Sequence, residues 1–378
     1  MKEQNLKYYL EPLGCAKNQV DAETIITILN TAGAEFVEAP EAADIIIVNS
    51  CGFIDKAKDE SIKSVINFKQ NYPDKKIILS GCLAQRYQEE LRKDLYEADA
   101  VFGNSNLDEI APLAFSMAGA PLKNSLPPAL TAERVKLLSL PGSVYIKIAE
   151  GCDNHCSFCA IPLIRGGLRS RSVDDIVNEC DVFLKRGALE LCLVAQDLAS
   201  YGAERNGRGE LPELLNAISL LQGNFWVRLL YLHPDHFPFG IIETMSRDTR
   251  FLPYFDIPFQ HASPSLLRKM NRRGSSDSYL ELIYRIRAAL PDSMIRSTFL
   301  TGFPGETIED FNILLNFQKT ANLDWLGVFV YSNEDGVPAC SFTGKIAKAV
   351  SHKRKRLIET RQIPITENRM ERFTGRRM

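Results

Sequence analysis

The chain has 378 residues, more than one typical domain holds, and this length implies about two or three domains. Its 45% hydrophobic and 24% charged content suits a globular protein with sizeable cores, and aliphatic runs such as Ile45-Ile46-Ile47-Val48 fall far short of the roughly 20 residues of a membrane helix, which excludes a helical span. A net charge of −2 excludes nucleic-acid binding through overall charge, and the start Met1-Lys2-Glu3-Gln4-Asn5-Leu6 lacks the apolar core of a signal peptide, so the nine cysteines are expected in a reducing cytoplasm, where an odd count favours metal ligation.

Residues 1–118 read as alternating strand and helix units. A strand over 7–13 leads into a helix with Ile25, Ile28, Leu29 and Ala32 on one face and Gly33 as its stop. The apolar run at 43–49 is of the kind parallel sheets bury on both faces. A helix over 55–72, a strand over 76–80, a helix over 85–94, a strand over 99–102 and a helix over 107–118 complete the pattern. Such alternation predicts an α/β fold, an open parallel sheet with helices on both sides.

Three cysteines have equivalent places in this pattern. Cys15 follows the first strand in Leu13-Gly14-Cys15, Cys51 the second in Asn49-Ser50-Cys51-Gly52, and Cys82 the third in Ser80-Gly81-Cys82. Each stands where a strand hands over to its helix, and in a parallel sheet these positions share the carboxyl edge, where such folds bind ligands. The adjacent glycines let backbone approach a bulky group. One cysteine at a strand end is commonly a small buried hydrophobe; three in equivalent positions point to a metal cluster.

Residues 119–141 carry Gly119, Pro121, Pro127, Pro128 and Pro141, which interrupt any period and mark a linker. A second domain is expected over 142–344. Its first strand, 144–149, runs into Gly151-Cys152-Asp153-Asn154-His155-Cys156-Ser157-Phe158-Cys159, with the spacing C-x3-C-x2-C. A four-iron cube normally takes four thiolates; three leave one iron open to a substrate or cofactor. A zinc ion with His155 as fourth ligand would strain its tetrahedron at this spacing, and a disulfide would leave one cysteine over.

Further strands are expected at 189–194, 226–232, 254–258, 294–300 and 326–330, six strand and helix units in all. A closed barrel of this type has eight. Gln196 and Asp197 end the second strand of this set, His233 the third, and Gln260 with His261 the fourth, while Arg296 and Thr298 lie along the fifth. Ser172 with Asp175 and Thr307 with Asp310 have helix-capping spacing. His236 reads as a surface loop residue and His261 as a hydrogen-bonded structural one. Cys180 and Cys192 read as core, and Cys340 carries no assigned role. Arg165, Arg169 and Arg171 form a basic loop that either binds an anion or is solvated. Residues 345–378 are helical and basic, with Lys353-Arg354-Lys355-Arg356 read as a solvated face or an RNA contact.

The loop of Cys152, Cys156 and Cys159, with Phe158 before the last cysteine, resembles the signature of the radical S-adenosylmethionine (SAM) enzymes. The resemblance implies a partial, six-unit β/α barrel and a 4Fe-4S cluster whose free iron chelates SAM, which one electron cleaves to methionine and a 5′-deoxyadenosyl radical. It also implies SAM contacts at Phe158, Gln196, Arg296, Thr298 and Gly302, the last opening the turn Gly302-Phe303-Pro304-Gly305-Glu306.

The phrases Gly-Cys-Ala-Lys-Asn-Gln-Val-Asp-Ala-Glu (14–23), Asn-Ser-Cys-Gly-Phe-Ile (49–54) and Gly-Cys-Leu-Ala-Gln-Arg-Tyr (81–87) resemble the N-terminal domain of the methylthiotransferases, whose matching cysteines hold an auxiliary 4Fe-4S cluster. On this resemblance Cys15, Cys51 and Cys82 are ligands of a second cluster, and no catalytic side chain is expected beyond the ligands of the two. Gly-Cys-Ala-Lys-Asn and Cys-Gly-Phe-Ile look like the RimO branch, which modifies an aspartate of ribosomal small-subunit protein twelve; the alternative is the MiaB branch, which modifies a tRNA adenosine. A reductant protein such as a flavodoxin or ferredoxin, a monomeric state and no membrane association are implied. Family members continue into a small β-barrel, the TRAM domain, which is expected to be absent here because residues 345–378 end where it would begin.

Overall fold

The computed structural model describes residues 5–122 and 134–376, so the linker expected over 119–141 lies partly outside the described residues. The chain divides into two compact units, Met1–Lys147 with Ile161–Gly166, and Ile148–Ala160 with Gly167–Met378.

The first unit runs β1 (Lys7–Pro12), α1 (Ala16–Thr31), β2 (Glu35–Phe36), β3 (Ile45–Ser50), α2 (Asp55–Asn71), β4 (Lys76–Gly81), α3 (Cys82–Arg86), α4 (Gln88–Asp94), β5 (Ala100–Phe102) and α5 (Ile110–Ala118). The five strands are parallel in the order β2-β1-β3-β4-β5. Alternate residues of the apolar run serve opposite faces. Ile45, Ile47 and Ile78 join the core with Ile25, Ile28 and Leu29 of α1, while Ile46, Val48, Ile77 and Leu79 pack with Val65, Leu83 and Leu91.

Two departures from the expected elements bear on the site. The helix expected over 85–94 starts earlier, at Cys82, because Gly81 at φ 91° turns the chain directly out of β4, and it breaks at Tyr87. Helix α1 is buried on its polar side as well as its apolar one: Lys17, Asn18, Asp21, Glu23 and Thr27 are all buried. The polar side receives the chain as it returns from the undescribed segment. Arg134 Nη1 lies 2.5 Å from Glu23 Oε2, the Leu138 amide donates to Glu23 Oε1 at 2.9 Å, and Lys147 Nζ reaches Asp21 Oδ1 at 2.6 Å.

The later elements are β6 (Ser143–Lys147), β7 (Ala149–Glu150), α6 (Ile161–Arg165), β8 (Arg169–Ser170), α7 (Val173–Lys185), β9 (Glu190–Val194), α8 (Ala203–Asn206), α9 (Leu211–Ser219), β10 (Trp226–Leu229), α10 (Gly240–Arg247), β11 (Phe251–Asp256), α11 (Pro264–Lys269), α12 (Ser276–Ala289), β12 (Met294–Thr301), α13 (Ile308–Ala321), β13 (Trp325–Val330) and α14 (Lys348–Glu371). Strands β13-β12-β11-β10-β9-β6 form one six-stranded sheet, the partial barrel that six units imply. Val227, Leu229, Phe255, Ile295 and Phe299 are fully buried, while Arg228, Arg296 and Thr298 alternate with them and are half-buried. The strand expected over 144–149 is broken after Lys147, where Ala149–Glu150 turns aside to pair antiparallel with Arg169–Ser170.

The basic run in α14 is not a uniformly solvated face. Arg354 Nη1 lies 2.9 Å from buried Glu306 and Lys355 donates to the Val328 carbonyl at 2.8 Å, which leaves Lys353 and Arg356 exposed. The end of the helix is held by Asp324, buried, with Arg372 at 2.7 Å, Arg369 at 3.0 Å and Arg287 at 3.8 Å. Among the described residues no helix is long and apolar enough to cross a membrane.

Removing one member of a buried charge group leaves the others uncompensated, at about 3–5 kcal/mol. Asp324→Ala is therefore expected to loosen the last turns of α14, measured as accelerated amide hydrogen exchange there while α1 to α5 keep their protection.

Candidate metal and cofactor sites

Strand register brings the first three cysteines to one sheet edge. Pro12 is level with Asn49, and Ser50 with Gly81, so the chain leaves β1, β3 and β4 side by side, with Cys15, Cys51 and Cys82 just beyond. The loops touch so closely that side chains are excluded. A Cβ on Gly14 would stand 3.1 Å from the Cys51 Cβ, and one on Gly52 would stand 2.8 Å from the Leu83 backbone and 2.9 Å from the Cys82 carbonyl oxygen.

One residue, not picked out in the sequence, joins all three loops. The Asn18 carboxamide nitrogen donates to the Leu13 carbonyl at 3.0 Å and the Ser50 carbonyl at 2.8 Å, and its own backbone carbonyl accepts from Asn49 Nδ2 at 2.7 Å. Asn18 Oδ1 faces Cys82 Sγ at 3.1 Å and Arg165 Nη2 at 2.7 Å. The only sequence signal was an asparagine three residues after a cysteine on the side of α1 that carries no apolar stripe.

In the second set, Cys156 is buried and Cys152 and Cys159 are half-buried. The loop is pinned by the end of α11 and the residues after it: the Ser157 amide donates to the Met270 carbonyl at 3.1 Å, Ser157 Oγ to the Lys269 carbonyl at 2.7 Å, and Asn271 Nδ2 to the His155 carbonyl at 3.0 Å. His155 takes φ 47°, a left-handed turn of the backbone within the three-residue gap. Asn154 Nδ2 donates to Cys152 Sγ at 3.3 Å and to Asp197 Oδ2 at 2.9 Å.

Asp197 organises this end of the sheet. Its carboxylate also accepts from the amides of Ala199 at 2.9 Å and His233 at 3.1 Å and from Ser200 Oγ at 2.6 Å, and lies 2.7 Å from His236 Nε2. Burial alone would raise its pKa, but the hydrogen bond and charge of His236, the charge of His233 and the Ser200 hydroxyl hold it well below the usual carboxylate range. His236 is exposed, as expected of a surface residue, and from there it also partners the buried carboxylate and stacks on His233 at 4.6 Å. His261, fully buried, accepts from the Ser263 amide at 3.0 Å, the structural role expected.

The residues expected to contact SAM lie on or beside this sheet. Gln196, two residues past β9, donates from Nε2 to Glu150 Oε1 at 3.0 Å, and its Oε1 is buried with no partner among the described residues. That orphaned acceptor suits a cationic amine. Arg296 Nη1 is 2.6 Å from Asp256 Oδ2, the Thr298 carbonyl accepts from the Gln260 amide at 2.8 Å, and Phe158 meets Phe303 edge to face at 6.5 Å. Gly302 takes φ 78°, and a Cβ there would stand 2.0 Å from Ser351 Oγ of α14, so packing alone already requires a glycine. Thr307 and Asp310 form the expected capping box, and Ser172 caps α7.

Of the three arginines in the loop Arg169 is exposed, while the other two are held in ion pairs. Arg165, buried, pairs with Asp21 at 2.7 Å, and Arg171 pairs with Asp175 at 2.7 Å and with Glu179. Cys180 and Cys192 are buried, as expected of core residues.

Both donor sets fit an iron–sulfur cube: three cysteines on adjoining backbone, with side-chain N–H groups aimed at a sulfur in each. Among the described residues no three His, Cys, Asp or Glu side chains gather around one point as a single ion would require. A cube takes each thiolate on a different iron, so its ligands need not meet.

Comparison with known proteins places residues 7–103 in the uncharacterized protein family UPF0004 and residues 146–317 in the radical SAM superfamily. The chain is 47% identical to the ribosomal protein uS12 methylthiotransferase RimO of Treponema denticola, over 96% of this chain and 84% of that one. To the protein of the same name from Carboxydothermus hydrogenoformans it is 42% identical, over 94% and 82%. Among solved structures it is similar in fold to the radical SAM methyltransferase TsrM from Kitasatospora setae, with a TM-score of 0.64, 14% identity and coverage of 86% of this chain and 72% of that one.

Two outcomes are expected at these sites. Asn18→Leu strands the buried Ser50 carbonyl, at about 1–3 kcal/mol, and removes the bond to the half-buried Leu13 carbonyl, so iron per reconstituted chain should fall from about eight to about four. Burial pushes the thiols of Cys82 and Cys152 up to about 11, so in the metal-free protein both are protonated at neutral pH and must lose a proton to bind iron. Cluster loading should therefore release protons and speed up between about pH 7 and about pH 9, which stopped-flow absorbance with a pH indicator would measure.

Proposed function

From a chain that belongs to the RimO family of ribosomal protein uS12 methylthiotransferases, a radical SAM family, we infer an enzyme that methylthiolates the β carbon of an aspartate in uS12. The observation that carries this reading is the joining of the Cys15, Cys51 and Cys82 loops by Asn18, a second sulfur-bearing centre besides the radical SAM motif. A C–H bond at that β carbon has no leaving group and no useful acidity, so side-chain bases offer little and a radical is needed.

Two 4Fe-4S clusters and SAM are the cofactors of this reading. Cys152, Cys156 and Cys159 hold the first cluster and Cys15, Cys51 and Cys82 the second. Bound there, the groups would supply hydrogen-atom abstraction at the β carbon, a sulfur to take that hydrogen's place and, from a second SAM, a methyl group. The side chains orient these groups. Asn154 holds Cys152 against Asp197, and Gln196 offers its free oxygen to the SAM ammonium. Phe158, Arg296, Thr298 and Gly302 are assigned to the rest of SAM. A cytoplasmic monomer reduced by a flavodoxin or ferredoxin completes the proposal.

Anaerobic assay of two triple variants tests it. Cys152, Cys156 and Cys159→Ala should abolish 5′-deoxyadenosine formation. Cys15, Cys51 and Cys82→Ala should retain it but leave uS12 without the methylthio group in mass spectra. A methylthio group on tRNA adenosine, with uS12 untouched, would replace this reading with the MiaB-type one.

A further inference from the structure

Helix α6 begins two residues after Cys159, yet it packs within the first unit and delivers one buried side chain to the other set of cysteines. Arg165 Nη2 donates to Cys82 Sγ at 3.1 Å and to Asn18 Oδ1 at 2.7 Å, and Nη1 lies 2.7 Å from Asp21 Oδ2. Both charged side chains are almost wholly buried, 3% and 2% exposed, and Asp21 is held on its other oxygen by Lys147 at 2.6 Å. A guanidinium keeps its charge at any working pH, and its planar fork can serve a carboxylate with one nitrogen and a sulfur with the other. The arrangement sets a fixed positive charge against a cysteine sulfur, with a fixed negative charge behind it.

We propose that Arg165 is a positioning residue that sets the reduction potential of the cluster on Cys15, Cys51 and Cys82, with Asp21 as its counter-charge; this rests on the cluster assignment made above. Hydrogen bonds to ligand sulfurs, net charge and burial are the terms through which a protein tunes such a centre. An N–H donated to a thiolate sulfur stabilises the more negative, reduced state and so raises the potential. Asp21 withdraws part of that effect by neutralising the guanidinium from the far side. The two residues therefore act with opposite signs on one sulfur, although both belong to the same buried ion pair.

The test uses the full chain carrying Cys152, Cys156 and Cys159→Ala, so that only the Cys15, Cys51 and Cys82 set can load, with the midpoint potential read by redox titration followed by electron paramagnetic resonance. Arg165→Gln should lower the midpoint, Arg165→Lys should lower it less, and Asp21→Asn should raise it, all with about four irons per chain. Shifts of the same sign for Arg165→Gln and Asp21→Asn, or none, would overturn the proposal, since loss of packing alone moves both in one direction. Should Arg165→Gln fail to hold iron, Asp21→Asn decides by itself: a rise supports the assignment and its absence refutes it. Absence of iron in the parent chain would instead refute the cluster assignment on which the proposal stands.

Discussion

Three chain segments leaving neighbouring strands must expose sulfur at one spot without stranding the buried polar backbone between them, and this constraint governs the first unit. Asn18 meets it. Its carboxamide and backbone carbonyl together bond to the ends of β1 and β3, and its side-chain oxygen meets Cys82 and Arg165. An unpaired buried carbonyl is destabilising by an amount comparable to a whole hydrogen bond, so these contacts fix the loops as firmly as the strand ladder fixes the strands. The glycines at 14 and 52 follow from the same crowding, because any side chain there would strike a neighbouring loop.

The radical SAM loop meets a related demand differently. No parallel ladder runs through Cys152–Cys159; the loop is instead pinned through Ser157 and Asn271 and, by way of Asn154, to the carboxylate of Asp197. Asp197 is buried and surrounded by five donors, so it stays ionised and rigid. An asparagine thus stands at each set: Asn18 ties together the loops that carry Cys15, Cys51 and Cys82, and Asn154 donates to Cys152.

The strands were legible because their apolar residues alternate or run unbroken between glycines. The expected segments at 43–49, 294–300 and 326–330 overlap β3, β12 and β13 to within two residues at each end. The places of Cys15, Cys51 and Cys82 beyond neighbouring strand ends were legible too, since the hand-over from strand to helix is written in the sequence. Hidden were contacts between residues far apart in the chain. Nothing near Arg165 in sequence indicates that it meets Asp21, or that Glu23 receives Arg134 and the amide of Leu138. Helix α1 showed its apolar stripe and concealed that its polar side is buried as well, because a polar face buried by pairing has the same composition as one facing water. The bond from exposed His236 to Asp197 was hidden in the same way, since the two lie 39 positions apart.

Because α6 completes the first unit, the path of the chain has a bearing on biosynthesis. A ribosome makes the protein from its N-terminus, and domains generally fold as units as they emerge. Here the N-terminal unit lacks Arg165, the buried partner of Asp21 and Cys82, until residue 166 has left the tunnel, by which time Cys152, Cys156 and Cys159 have also been translated. The nascent N-terminal unit therefore stays unfinished until the thiols of both sets have been translated.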